Sequence, residues 1–117
     1  MKTLCTIRDI YRSIREFEEY FQQKHDLSLN EGMLLCSLKE KKLSSSELAE
    51  ALALSGSNTS KVIKSVENKG FIERALGKED KRQMYFTLTQ LGNDILKMIK
   101  KEEGEIASLL KQIKTLT

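Results

Sequence analysis

Apolar residues return at three- and four-residue steps near the start of the chain, at Leu4, Ile7, Tyr11, Ile14, Phe17 and Phe21. Arg8, Asp9, Arg12, Arg15, Glu16, Glu18 and Glu19 fill the gaps, and no Pro or Gly interrupts them. That period predicts an amphipathic helix ending at Lys24-His25-Asp26. A second helix is expected to open at Asn30 as N-cap, with Glu31 in its positive first turn. Its buried side would carry Met33, Leu34, Cys36 and Leu38, and Glu40-Lys41-Lys42 would close it. Leu43 suits a short strand. Ser44-Ser45-Ser46-Glu47 has the form of a capping box and starts a short helix with Leu48, Ala49, Leu52 and Leu54 on its apolar side. Ser55 caps again, Gly56–Asn68 continues with Val62, Ile63 and Val66 inward, and Gly70 is placed for a left-handed stop.

The period then changes from about four to two. Met84, Phe86 and Leu88 alternate with Tyr85 and Thr87, which predicts a half-buried strand over Gln83–Leu88 paired with another over Phe71–Ala75. Thr89 caps a helix running to about Glu103, Gly104 weakens it, and Ile106, Leu109, Leu110, Ile113 and Leu116 form a last apolar stripe. Two short helices joined by a tight turn and followed by a hairpin make a winged helix-turn-helix. The expected fold class is mainly α with a small β-sheet. It is read as one domain over 1–117, with a DNA-binding core at 27–88 and flanking helices at 1–25 and 89–117. Their apolar stripes either cover the domain's own core or, as the favoured reading, serve dimerisation with a second copy.

The chain of 117 residues is long enough for one real core. Its net charge is only +3, but the charge is unevenly placed. Residues 1–54 hold 8 Lys+Arg against 9 Asp+Glu, residues 55–82 hold 7 against 4, and residues 83–117 hold 5 against 4. The excess therefore falls on one helix and the hairpin after it. A local basic patch in a nearly neutral protein points to one directed anionic partner. No apolar run approaches the ~18 residues of a membrane span, and the charged N-terminus lacks a secretory signal's apolar block. No membrane association and a cytoplasmic location are expected.

Ser57, Asn58 and Ser60 fall in the first turns of the Gly56–Asn68 helix, where a helix approaches base edges, and Asn pairs with adenine in bidentate fashion. Lys61 and Lys64 follow on the same side, suited to phosphates or a guanine edge. In the hairpin loop, Lys78, Lys81 and Arg82 supply cations. A guanidinium fits a narrow minor groove, where the potential is most negative, and Asp80 stands two residues before Arg82 to hold it extended. Double-stranded DNA is the expected partner. The competing reading is a winged-helix interaction module that binds a protein instead. No Cys/His cluster has metal spacing, no glycine-rich loop precedes a helix and no Ser-His-Asp set appears, so neither metal, cofactor nor enzymatic activity is expected. His25 is read as capping the last carbonyls of the first helix. Cys36 is read as core, and no disulfide is expected in the cytoplasm.

Leu43-Ser44-Ser45-Ser46-Glu47-Leu48-Ala49, then Ser57-Asn58-Thr59-Ser60-Lys61-Val62-Ile63, then Glu67-Asn68-Lys69-Gly70-Phe71-Ile72-Glu73-Arg74, taken in this order, resemble the MarR family of regulators. Asp80-Lys81-Arg82 followed by Leu88-Thr89 and Gly92 fits that family's D-x-R and L-T-x-x-G spacing, the most specific piece of the match. The resemblance implies a homodimer that represses or activates transcription from a near-palindromic operator, with repression the expected sense and a small-molecule effector the expected means of relief. Carried over, Ser57, Asn58, Ser60, Lys61 and Lys64 would face DNA, and Asp80 would orient Arg82 toward the minor groove. Tyr11, Tyr20 and Phe21 would either line an effector cleft or belong to the core. The family's peroxide-sensing branch has a reactive cysteine in the first helix, the element that carries Cys5. The terminal helices are shorter than the family's usual ones.

Overall fold

A computed structural model describes residues 2–77 and 82–116. The elements follow the order α1 (Lys2–His25), α2 (Leu29–Ser37), β1 (Leu43–Ser44), α3 (Ser45–Leu52), α4 (Gly56–Asn68), β2 (Ile72–Leu76), β3 (Met84–Leu88), α5 (Gln90–Lys100) and α6 (Glu103–Leu116). This is the mainly helical winged helix-turn-helix anticipated from the pattern. Contacts divide it into two compact units, Met1–Leu29 with Met98–Thr117, and Asn30–Lys97. Among the described residues no helix is long and apolar enough to cross a membrane.

In the first unit α1 packs on α6. Phe21 is buried, and its ring lies 6.0 Å from that of Phe17 and 4.8 Å from that of His25. His25 does more than end a helix: its Nε2 stands 2.9 Å from Glu102 Oε2, while Lys24 Nζ is 2.9 Å from Glu102 Oε1. The Lys24 ammonium holds the Glu102 carboxyl below the usual carboxylate range. The N-terminal part of the predicted stripe is not interior. Leu4, Ile7 and Tyr11 are 57%, 44% and 63% exposed, and Leu110 on α6 is exposed as well. The helix after Thr89 stops at Lys100, short of Glu103, and Gly104 lies inside α6 instead of before it.

The second unit is built on a three-stranded antiparallel sheet in the order β1-β3-β2. Leu43 opposes Phe86, and Ile72 opposes Leu88. Leu34, Leu35, Leu38, Leu43, Leu48, Ile63, Val66, Ile72 and Phe86 form its core. Three expectations for α2 fail. The helix starts at Leu29, so Asn30 lies inside it and is not its cap, and it ends at Ser37, well before Lys42. Its buried stripe is Glu31, Leu34 and Leu35, continued by Leu38 just past its end, whereas Met33 and Cys36 are exposed. The reason is that a charged residue occupies one position of the true 3.6-residue stripe, which shifts the apparent apolar face.

Between α3 and α4 the chain turns at Ala53, whose φ of 54° is left-handed without the relief a glycine provides. Leu54, expected as the last apolar residue of α3, lies beyond the helix, and its N–H donates to Ala49 O at 3.0 Å. A left-handed L-residue costs roughly 1–2 kcal/mol. Ala53→Gly is therefore expected to stabilise the fold by about 1 kcal/mol, offset in part by glycine's greater unfolded-state entropy. Urea denaturation checks this, and a lower midpoint would contradict it.

Candidate nucleic-acid interface

The two helices of the helix-turn-helix are set by their caps. Ser44 Oγ accepts the Glu47 N–H at 3.2 Å while Glu47 Oε1 accepts the Ser44 N–H at 2.9 Å, the reciprocal pair of a capping box. Those bonds hold the Glu47 carboxyl below its ordinary range. Ser55 Oγ accepts the Asn58 N–H at 3.1 Å and so fixes where α4 begins. From there the 3.6-residue period sorts the side chains. Thr59, Ile63 and Val66 are buried, while Ser57, Asn58, Ser60, Lys61 and Lys64 are exposed. Among the described residues neither Lys61 nor Lys64 meets a carboxylate. Asn68, which was not singled out from the sequence, continues the strip one turn beyond Lys64 and is also exposed.

The wing rises directly after α4. Gly70 takes φ of +81°, and Phe71 N–H returns to Val66 O at 3.0 Å, which ends the helix and releases the chain into β2. The hairpin narrows to a Gly77 N–H donated to Gln83 O at 2.9 Å, and the Tyr85 hydroxyl donates to Gln83 Oε1. Arg82 is exposed beside that closure. Lys78, Asp80 and Lys81 lie outside the described residues. The base of the wing is stitched to α5: Thr89 N–H donates to Phe71 O at 3.0 Å, Thr89 Oγ1 donates to Gly70 O at 2.6 Å, and Gly92 N–H donates to Thr89 Oγ1 at 3.1 Å.

Two carboxylates hold α4 through pairings that the sequence did not show. Glu67 takes Arg74 from β2 in a two-pronged pair, 2.7 Å from Nε and 3.2 Å from a terminal nitrogen. This lowers the Glu67 carboxyl and raises the guanidinium. Glu31 of α2 takes Ser65 and Lys69. Both pairs join elements whose proximity exists only after folding. The one signal available beforehand was a Glu at position 31, three and four residues before Leu34 and Leu35 on the same stripe. Elsewhere, Tyr20, Phe21 and His25 line a small cleft with Glu102 and Ile106, but Tyr11 does not. Its volume of about 10 Å³ is room for one water. Cys5 and Cys36 are both exposed free thiols.

Residues 27–84 match the model of the MarR family. The HTH-type transcriptional regulator SarZ of Staphylococcus haemolyticus is 30% identical over 82 residues, covering 69% of this chain and 56% of that protein. The chain thus spans little more than half the length of this relative. Among solved structures, AbsC of Streptomyces coelicolor, a MarR family transcriptional regulator, matches with a TM-score of 0.80 at 22% identity over 95% of this chain and 75% of that one. The S. aureus MepR–DNA complex matches with 0.77 at 21% identity over 91% and 80%. These two likenesses show the fold, and the family match lies on the segment that builds α2 to the start of β3. The chain belongs to the MarR family of winged helix-turn-helix transcriptional regulators.

Proposed function

We propose that the protein binds double-stranded DNA as a homodimer in the cytoplasm and represses transcription by occupying a near-palindromic operator. The observation that carries the reading is the strip Ser57, Ser60, Lys61 and Lys64 on α4, exposed and free of described carboxylate partners, beside a hairpin with Arg82 at its closure. On this reading the start of α4 enters the major groove. The helix N-terminus favours a phosphate, Asn58 reads an adenine edge, and Lys61 and Lys64 take phosphates or a guanine. Arg82 enters the adjoining minor groove, helped by Lys78 and Lys81 and oriented by Asp80. In the solved fold relative from S. aureus, MepR is itself in complex with DNA.

One such module offers few base contacts, and a two-fold pair places two α4 helices ~34–36 Å apart, one turn of DNA. Leu4, Ile7 and Tyr11 give α1 an exposed apolar strip suited to a second copy. Relief by a small ligand remains part of the family pattern, but a cleft with room for one water does not favour an effector there, and we place none in it.

Binding should weaken steeply with salt, the log–log slope approaching about −0.9 for each phosphate neutralised. Sedimentation of the complex should give two chains per duplex. A protein-interaction module would show neither the slope nor the stoichiometry, and that pair of results would replace this reading.

A further inference from the structure

The Glu31 carboxylate sits where the stripe of α2 calls for an apolar side chain. Its side chain is 8% exposed, and it reaches across to the last turn of α4. Ser65 Oγ donates to Glu31 Oε2 at 2.8 Å, and Lys69 Nζ donates to Oε1 and Oε2 at 3.3 and 3.1 Å. Ser65 lies in α4, and Lys69, one turn on, is its C-cap. The same end of α4 is tied on another side by Glu67 to Arg74 of β2.

Stability alone does not account for a buried acid at this position. Exchanging a buried ion pair for apolar side chains of similar volume is often neutral or stabilising. Apolar contact, however, has no direction, so a helix held only by leucines has shallow resistance to rolling about its axis. Hydrogen bonds from two donors one turn apart fix both the roll and the axial position. We propose that Glu31 is a positioning residue for DNA recognition: through Ser65 and Lys69 it sets the roll of α4 on α2, so that Ser57, Ser60, Lys61 and Lys64 meet the groove in one register. This rests on the function proposed above. None of the three residues belongs to the strip assigned to DNA.

The test uses a duplex carrying the site recovered by genomic selection and a scrambled duplex of equal length. Glu31→Met combined with Lys69→Met removes the clasp without leaving a buried charge, and its melting temperature should stay near the parent's. The ratio of specific to non-specific affinity should fall by about tenfold or more, the scale of a lost base-pair contact. A merely structural role predicts the opposite, a ratio that is kept whenever the melting temperature is kept, and that result overturns the proposal. Should the double variant not fold, Glu31→Gln measured below its melting temperature decides on the same ratio. If the parent binds no duplex at all, the proposed function fails and this inference with it. If the parent binds and the variant keeps its ratio, only this inference fails.

Discussion

Gly92→Ala is expected to cost a large part of the protein's stability. An added Cβ would stand 2.1 Å from Phe71 O, 3.1 Å from Phe71 C and 3.2 Å from Leu88 Cδ2. Two of those three atoms are backbone and cannot swing aside. Relief requires α5 to draw back, and that breaks the Thr89 N–H bond to Phe71 O and disturbs the Ile72–Leu88 register. Overpacking costs typically ~1–3 kcal/mol and sometimes more, and a lost buried hydrogen bond adds about 1 kcal/mol. A total of roughly 2–4 kcal/mol is a large part of the ~5–15 kcal/mol that holds a domain folded. The melting temperature should drop by about 10 °C or more. Gly104→Ala is the control, because a Cβ there meets nothing within 4 Å and alanine favours the helix. Circular dichroism melts of the two variants separate them, and equal melts would remove Gly92 from its assigned role.

The second large effect is on DNA. Arg82→Ala and Lys61→Ala should each weaken operator binding about tenfold or more, since a good base or groove contact is worth ~1–3 kcal/mol. They should differ in kind. If Lys61 takes a phosphate, its loss lowers affinity for all sequences and reduces the salt slope by about 1. Arg82, in a narrow minor groove, should matter most at sites with A·T-rich flanks. The two residues lie on separate elements, so the double variant should lose roughly the product of both effects. Both side chains are exposed, so the melting temperature should stay put. Fluorescence anisotropy across a salt series checks all of this. Undiminished binding by both variants would mean that DNA, if bound, meets another surface.

What the chain discloses about itself depends on range. The caps at Ser44 and Ser55 were readable because a side-chain oxygen and the amide it accepts lie three residues apart. The strip on α4 was readable because 3.6-residue periodicity separates Ser57, Lys61 and Lys64 from Ile63 and Val66, although Thr59, not the expected Val62, is the third buried residue of the helix. The Thr89 and Gly92 spacing was visible as a motif, but its cause was not: the near approach of Gly92 to Phe71 O spans both strands of the hairpin. Glu31, Ser65 and Lys69 are separated by 34 and 38 positions, and nothing local brings them together. Glu31 also disguised the face of α2, so that Met33 and Cys36 were placed inside and Leu35 was missed. For the exposed Leu4, Ile7 and Tyr11 the sequence leaves core and second copy both open, because apolar periodicity does not say whether the covering surface belongs to the same chain.

The most direct test of the central claim is selection of genomic DNA fragments on the purified protein at moderate salt, followed by sequencing of what is retained. The account predicts enrichment of a two-fold symmetric site with half-sites one helical turn apart, and loss of that enrichment in the Arg82→Ala, Lys61→Ala double variant. Retention without sequence preference, or the same enrichment by the double variant, would contradict it.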